Sequence, residues 1–406
     1  MQLDFSLPRR VRLVYFGRIG LGILRNYVTE TDVAIYENPR ERLNVWVALR
    51  MLLSRDLSEY SYYRAFLRWR KPKFVITMED NNPLFYATKV LAPSCKTLAV
   101  QNGLRAPLSH SAQRDFKQEL IDLRGSGWDA DVIATLGGLG TQFFKEALPD
   151  TKAAIVEVGS IINNSLGLAN ERPFTKPTRI VFISKLPNFG ESNLPTDWGQ
   201  RIRVYIGKIG LTDEQYFHAD VIVARACARF AAELGLDFVV LGKRPSGQPS
   251  EFAFYAELLS GMKWEYLPST SQASSYEAIS TDDIIVNIDS TLGYELFARG
   301  LRVVTVSARM QACGHGDVPL LRFGYPLVTE PSGPFWTSEA TEAEIRRVVS
   351  TAISVNDEQW LRMTDSERQL LFQYDRANTR LCNELDALGI QNSGPCLWTR
   401  ELIPLN

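Results

Sequence analysis

The residues best placed to do chemistry fall in four short clusters, each directly after an apolar run rich in β-branched side chains. The most informative is Asp289-Ser290-Thr291-Leu292-Gly293-Tyr294-Glu295, which follows the run 284–288 and opens a helix-length stretch ending at Gly300. Strand, polar turn and helix in that order put the hydroxyls of Ser290 and Thr291 beside unpaired backbone N–H groups. That arrangement suits an anion, above all a phosphate. Ser and Thr are also common helix caps, which accounts for Ser290. A cap does not account for Gly293, because glycine inside a helix costs up to about 1 kcal/mol relative to alanine. Close approach of a ligand is the expected reason. Glu295, about one turn in, is expected to accept from ribose hydroxyls, although it would also complement the helix dipole.

The other three clusters supply charge and proton transfer. Lys243-Arg244 follows the run 238–241, where two cations can clamp a phosphate, unless Pro245 and Gly247 merely build a solvated turn there. Glu79-Asp80-Asn81-Asn82 follows 74–77 and offers a general base for a hydroxyl, with Asp80 preferred and Glu79 second. The same residues also read as an Asx cap before Pro83. Gln101-Asn102-Gly103 follows 97–100 and is expected to touch a sugar or an acceptor, although Asn-Gly is an ordinary turn dipeptide.

Several classes are disfavoured. Gly17, Gly20 and Gly22 do not fit G-x-G-x-x-G, so a dinucleotide fingerprint is rejected. His110, His218 and His315 are too scattered for a metal site, and none is expected; His315 reads as part of a surface turn. The 45 basic and 46 acidic residues leave a net charge of −1, which argues against a broad nucleic-acid footprint. Five dispersed cysteines with no CxxC pair fit a reducing compartment. The first ten residues lack a signal-peptide core, and 221–234 is interrupted by Arg225, Arg229 and Glu233, so neither export nor a membrane span is expected. The protein is therefore expected to be cytoplasmic. The basic aromatic stretch 60–73 reads mainly as a core-facing helix; contact with an anionic inner-membrane surface is the alternative.

The elements that must position these clusters alternate between strand and helix. In the first part, strands are expected near 11–16, 32–36, 74–77, 97–100, 131–135 and 154–158, with helical periodicity over 41–69 and 83–91. A polar, proline-bearing linker covers 163–178. Alternation restarts at 179–184 and continues through a helix at 216–234, a strand at 238–241, a helix at 251–259, a capping box at Ser274 and Glu277, and strands at 284–288 and 303–306. The chain is then mostly helical from 339 to 388. At 406 residues two cores are the natural expectation: a first domain over 1–165, a second over 176–390 and a tail over 391–406. The expected fold is α/β, with parallel strands and an active site in the crevice at the strand C-termini.

The stretch from Asp289 to Glu295, continued by Ala298-Arg299-Gly300, resembles the nucleotide-binding turn in the second domain of GT-B glycosyltransferases. With Met78-Glu79-Asp80, Gln101-Asn102-Gly103 and Phe182-Ile183-Ser184, the whole chain resembles bacterial capsule and lipopolysaccharide biosynthesis proteins of that type, and loosely the Kdo transferases. The resemblance implies two Rossmann-like domains facing across a cleft, the first binding the acceptor and the second the donor, with C-terminal helices crossing back. It also implies a metal-independent transferase without a cofactor. Its partners would be a nucleotide-sugar donor, such as a CMP-Kdo-like one, and a glycan or lipid-linked acceptor. Related transferases often carry His-Pro after a lysine; here Lys243-Arg244-Pro245 stands instead. A sugar-nucleotide epimerase of the same fold and a non-catalytic carbohydrate-assembly partner are the alternatives.

Overall fold

The computed structural model describes residues 2–17, 32–52, 55–105, 118–122, 125–170, 172–185, 213–243, 249–271, 273–307 and 332–390. The chain divides into two compact units: Met1–Ser165 together with the chain from Gln369 onward, and Leu166–Arg368. The C-terminal boundary thus differs from the expected one, since 369–390 belongs to the first unit rather than the second. The 391–406 tail lies outside the described residues.

The first unit is built on six parallel strands in the order β3-β2-β5-β6-β7-β8. These are β2 (Leu13–Phe16), β3 (Val33–Tyr36), β5 (Phe74–Thr77), β6 (Lys96–Val100), β7 (Val132–Thr135) and β8 (Ala154–Glu157); β1 (Gln2–Asp4) pairs apart with β4 (Arg42–Asn44). Side chains alternate between two buried faces, as a covered parallel sheet requires. Val14, Phe16, Val75 and Ile133 pack with Tyr63, Phe66, Phe143 and Phe144 on one face. Leu13, Tyr15, Ile76 and Leu98 pack on the other with Leu381, Leu385 and Ile390. The late helix Thr379–Ala387 therefore supplies part of the core under strands laid down near the start of the chain.

Asparagines fix this return. Asn164 donates from Nδ2 to the Val158 carbonyl at 2.9 Å and to Asn378 Oδ1 at 3.1 Å, while its own Oδ1 accepts from the Asp375 N–H. Asn163 and Asn164 are buried. The start of the expected linker is thus a docking point, and Asn164 satisfies backbone groups there rather than meeting water.

The second unit has strand order β11-β10-β9-β12-β13-β14, again all parallel. Its strands are β9 (Arg179–Ile183), β10 (Asp237–Leu241), β11 (Glu265–Leu267), β12 (Asp283–Asn287), β13 (Arg302–Val306) and β14 (Trp336–Thr337). Arg179 grips Asp283 with two hydrogen bonds of 2.8 and 2.6 Å, locking the first residues of neighbouring β9 and β12. The fold is thus α/β with two Rossmann-like units in one chain, as expected.

Local differences have local causes. The helix expected over 41–69 is strand β4, then helix Val45–Leu52, then helix Glu59–Arg70 opened by Ser58, which accepts the Ser61 N–H. Most of that last helix is core: Tyr62, Tyr63, Ala65, Phe66 and Leu67 are buried. Ser274 forms no capping box, because its hydroxyl is engaged with Thr270 and Ser271 and the short helix Ser274–Glu277 is capped by Ala273 without a side-chain bond.

Candidate functional site

Strand order decides where each unit can hold a ligand. In the second sheet the chain leaves β9 for β10 on one side and later enters β12 on the other. Loops leaving the C-terminal ends of β9 and β12 therefore diverge, and such a switch point is where open α/β sheets bind ligands. Asp289, Ser290 and Thr291 follow β12 here. Ser290 is the N-cap of helix Thr291–Ala298, yet its hydroxyl makes no capping bond. Its backbone N–H and carbonyl are instead held by the Asn287 amide, at 2.9 and 3.3 Å. Thr291 is exposed. The turn is thus fixed from below by Asn287, leaving the helix's opening N–H groups without partners inside the helix.

Asn287 also explains Gly293. A Cβ built on Gly293 would lie 2.2 Å from Asn287 Cγ, so the glycine makes room for the amide that shapes the turn. The expected reason, approach of a ligand, is not needed. Glu295 likewise turns inward: it is buried and accepts from the Tyr276 hydroxyl, and Arg299 stacks over that ring at 5.7 Å. Burial, then the Glu295 charge, raises the Tyr276 pKa well above its usual value. This geometry favours a bracing role for Glu295 over a ribose contact.

A cation that the sequence reading passed over stands beside the turn. Lys185, two residues past β9, lies 3.7 Å from the buried Asp289 and keeps part of its side chain exposed. The signal was present, since it directly follows the Ser184 already singled out. Lys243 is exposed after β10, and its backbone N–H is held by both oxygens of Glu251, at 3.2 and 3.0 Å. Buried Glu251 also accepts from Ser184 Oγ at 2.5 Å and from the Tyr266 hydroxyl at 2.8 Å. One carboxylate thus ties together the ends of β9, β10 and β11. Arg244 lies outside the described residues.

In the first sheet the switch point falls between β2 and β5. Gly17 follows β2 with a φ of +87°, and a Cβ there would sit 2.1 Å from Glu79 Oε1. The Glu79 carboxylate therefore lies directly over the Gly17 backbone, at the switch point. Its backbone N–H is fixed by Thr77 Oγ1 at 2.8 Å, and Thr77 in turn donates to the Phe16 carbonyl.

Asp80 points the other way. It is fully buried, bonded to Arg105 at 2.5 Å, and accepts from the Asn102 N–H at 3.1 Å. Burial pushes its carboxyl above the usual range, against the opposing pull of Arg105. A carboxylate so enclosed holds the 101–105 loop, and of the two candidate bases Asp80 is the one shut away from solvent. Asn82 caps helix Pro83–Tyr86 by accepting the Leu84 N–H, as an Asx cap would. Gln101 is a brace: its Nε2 donates to the Gly103 carbonyl at 2.7 Å and its Oε1 accepts from Leu136 N–H at 3.0 Å. Of Gln101, Asn102 and Gly103, Asn102 alone is exposed. Gly20, Gly22, His110 and His315 lie outside the described residues. Among the described residues no group of three or more His, Cys, Asp or Glu side chains gathers that could hold a metal ion.

Two parallel sheets of Rossmann type, each with polar or charged groups at its switch point, define the class: an α/β chain of two Rossmann-like units. Residues 98–388 match a family described as "putative O-antigen biosynthesis protein", and the chain belongs to that family. No curated protein sequence matches it. Among solved structures it is similar to HepE of Anabaena in complex with UDP and glucose: 11% identity, TM-score 0.43, covering 93% of this chain and 100% of that one. It is also similar to a glycosyltransferase of Rickettsia africae, at 12% identity and TM-score 0.48, covering 95% and 100%. A UDP-GlcNAc 2-epimerase of Methanocaldococcus jannaschii gives 11% identity and TM-score 0.48, covering 93% and 99%.

Proposed function

We propose that this protein is a glycosyltransferase that moves a sugar from a nucleotide-activated donor to a surface-polysaccharide or lipopolysaccharide precursor. Membership in an O-antigen biosynthesis family supports the pathway class. The observation that carries the reading is the Asn287-braced turn at Ser290 and Thr291, with Lys185 beside it, at the switch point of the second sheet. In this reading the N–H groups opening helix Thr291–Ala298 and the Ser290 and Thr291 hydroxyls receive the donor phosphate. Lys243 and Arg244 neutralise the charge that grows on the leaving group. Lys185 joins them, swinging from Asp289 to the phosphate when a donor binds. Glu79 takes the proton from the acceptor hydroxyl, Asn102 contacts the sugar, and Asp80 positions the loop carrying Asn102. Phosphate charge is met by side-chain cations and N–H groups, so turnover is expected to survive EDTA.

A thermal-shift and calorimetric screen of CMP, CDP, UDP, GDP and dTDP tests the site. One nucleotide at 100 times its Kd stabilises by about 2.7 kcal/mol. Combined Ser290→Ala, Thr291→Ala and Lys243→Ala substitution should abolish that binding, and unchanged affinity would reject the site. A product assay with the preferred sugar nucleotide then separates transfer to an acceptor from epimerisation of the free donor.

A further inference from the structure

Of the eleven large apolar side chains that stand exposed among the described residues, seven fall between residues 3 and 57. Scattered exposed hydrophobes need no explanation, but a contiguous group does. Here the backbone brings them together. Strand β1 pairs with β4, the Asn44 side chain donates to the Ser6 carbonyl at 2.9 Å, and Trp46 Nε1 donates to the Phe5 carbonyl at 2.9 Å. The segment 2–7 is thus strapped along 42–46, with Leu3, Phe5 and Leu7 pointing to solvent; Phe5 is 68% and Leu7 70% exposed. Helix Val45–Leu52 continues the surface. Its buried residue is Val47, while Trp46, Leu49 and Leu52 stand exposed away from it. Trp46 keeps its polar nitrogen bonded while part of its ring stays in solvent, the habit of an interfacial tryptophan.

Charge around the patch is predominantly basic, with exposed Glu41 and half-buried Asp56 as the acidic neighbours that no ion pair among the described residues neutralises. Arg9, Arg10, Arg50 and Arg55 are exposed next to it in the chain, whereas the nearby Asp4 is paired with Arg42 at 3.4 Å. Apolar residues at the centre and arginines around them match an anionic bilayer: the side chains enter the acyl boundary and the guanidinium groups meet the phosphates. The stretch 60–73, the sequence's own candidate for such contact, is mostly core-packed. No helix among the described residues is long and apolar enough to cross a membrane.

We propose that this face of the first unit, Leu3, Phe5, Leu7, Trp46, Leu49 and Leu52 with their flanking arginines, docks the protein on an anionic phospholipid surface. It stands independently of the donor-site reading. The test is co-sedimentation of the full chain with vesicles of phosphatidylethanolamine containing phosphatidylglycerol, against vesicles of phosphatidylcholine alone. Binding is expected to the anionic vesicles and to weaken with salt. Combined Arg9→Ser, Arg10→Ser and Arg50→Ser substitution should weaken it on the order of a hundredfold, about fivefold per arginine. Combined Phe5→Ser, Leu7→Ser and Leu49→Ser substitution should abolish it with an unchanged Tm, because these side chains carry no core packing. Three results would overturn the proposal: no binding of the native chain to anionic vesicles; native affinity in either folded triple variant; or a native dimer that the apolar variant splits, which would assign the face to a second copy of the chain.

Discussion

Replacing Asp80 by Asn and, separately, Glu79 by Gln separates the structural carboxylate from the reactive one. Asp80 and Arg105 form a pair with side-chain exposures of 0% and 7%. Asp80→Asn keeps the shape but leaves the guanidinium buried without its counter-charge. Breaking a buried pair from one side costs about 3–5 kcal/mol, about a fifth or more of the roughly 5–15 kcal/mol that holds a typical domain. For a unit of this size that lowers Tm by about 6–20 °C. Combining Asp80→Asn with Arg105→Met should recover much of the loss, since an apolar pair needs no compensation. Glu79→Gln leaves all of this in place. Its expected effect is kinetic, a fall in kcat on the order of 10²–10⁴ for loss of a general base, with Tm close to native. The assays are scanning calorimetry and donor turnover with acceptor present. Full turnover in Glu79→Gln, or native Tm with abolished turnover in Asp80→Asn, would refute the assignment.

Gly293→Ala should destabilise by about 1–3 kcal/mol in a denaturant melt, because its Cβ would overlap the Asn287 amide and one of the two must shift. If nucleotide affinity falls with it, the brace under the turn is functional as well as structural. Gly17→Ala combines a left-handed φ with a clash against Glu79; it should lower turnover by displacing that carboxylate, and native kinetics would argue against the base role. Glu344 is held at about 2 by two hydrogen bonds from Arg347, opposed by burial and helped by Ser332, against an ordinary value of 4.5. A folded pKa below the unfolded one adds stability that is present above the unfolded value and lost as pH falls through the folded value. Tm should therefore drop between pH 4.5 and about 2, and Glu344→Gln should flatten that limb.

Strands that end in the candidate clusters were legible because both sheets are parallel and covered on both faces, which writes them as continuous apolar runs. The short edge strand β11 and the two-residue β14 left no such run. The helix pattern over 41–69 was misread because apolar spacing continues on both sides of 53–58, where Ser58 starts a second helix. Neighbouring carboxylates could not be told apart from their own stretch: Asp80 goes inward because Arg105, twenty-five residues later, meets it there. Gly293 was noticed for its cost, but its cause, Asn287, lies in the preceding strand and needed coordinates to be seen. Lys185 was visible by the criterion that found Lys243 and was passed over for the hydroxyl before it.

The dependence of the first sheet on Leu381, Leu385 and Ile390 sets an order of assembly during synthesis. Residues 1–165 emerge from the ribosome without the part of this core that Leu381, Leu385 and Ile390 supply, and that part is missing until the whole 166–368 unit has been made. The later-encoded unit is then the one able to finish first, against the usual N-terminal lead. Recombination must respect the same order: the 166–368 unit can be exchanged between relatives only as an insertion cut at both ends, never as a C-terminal half.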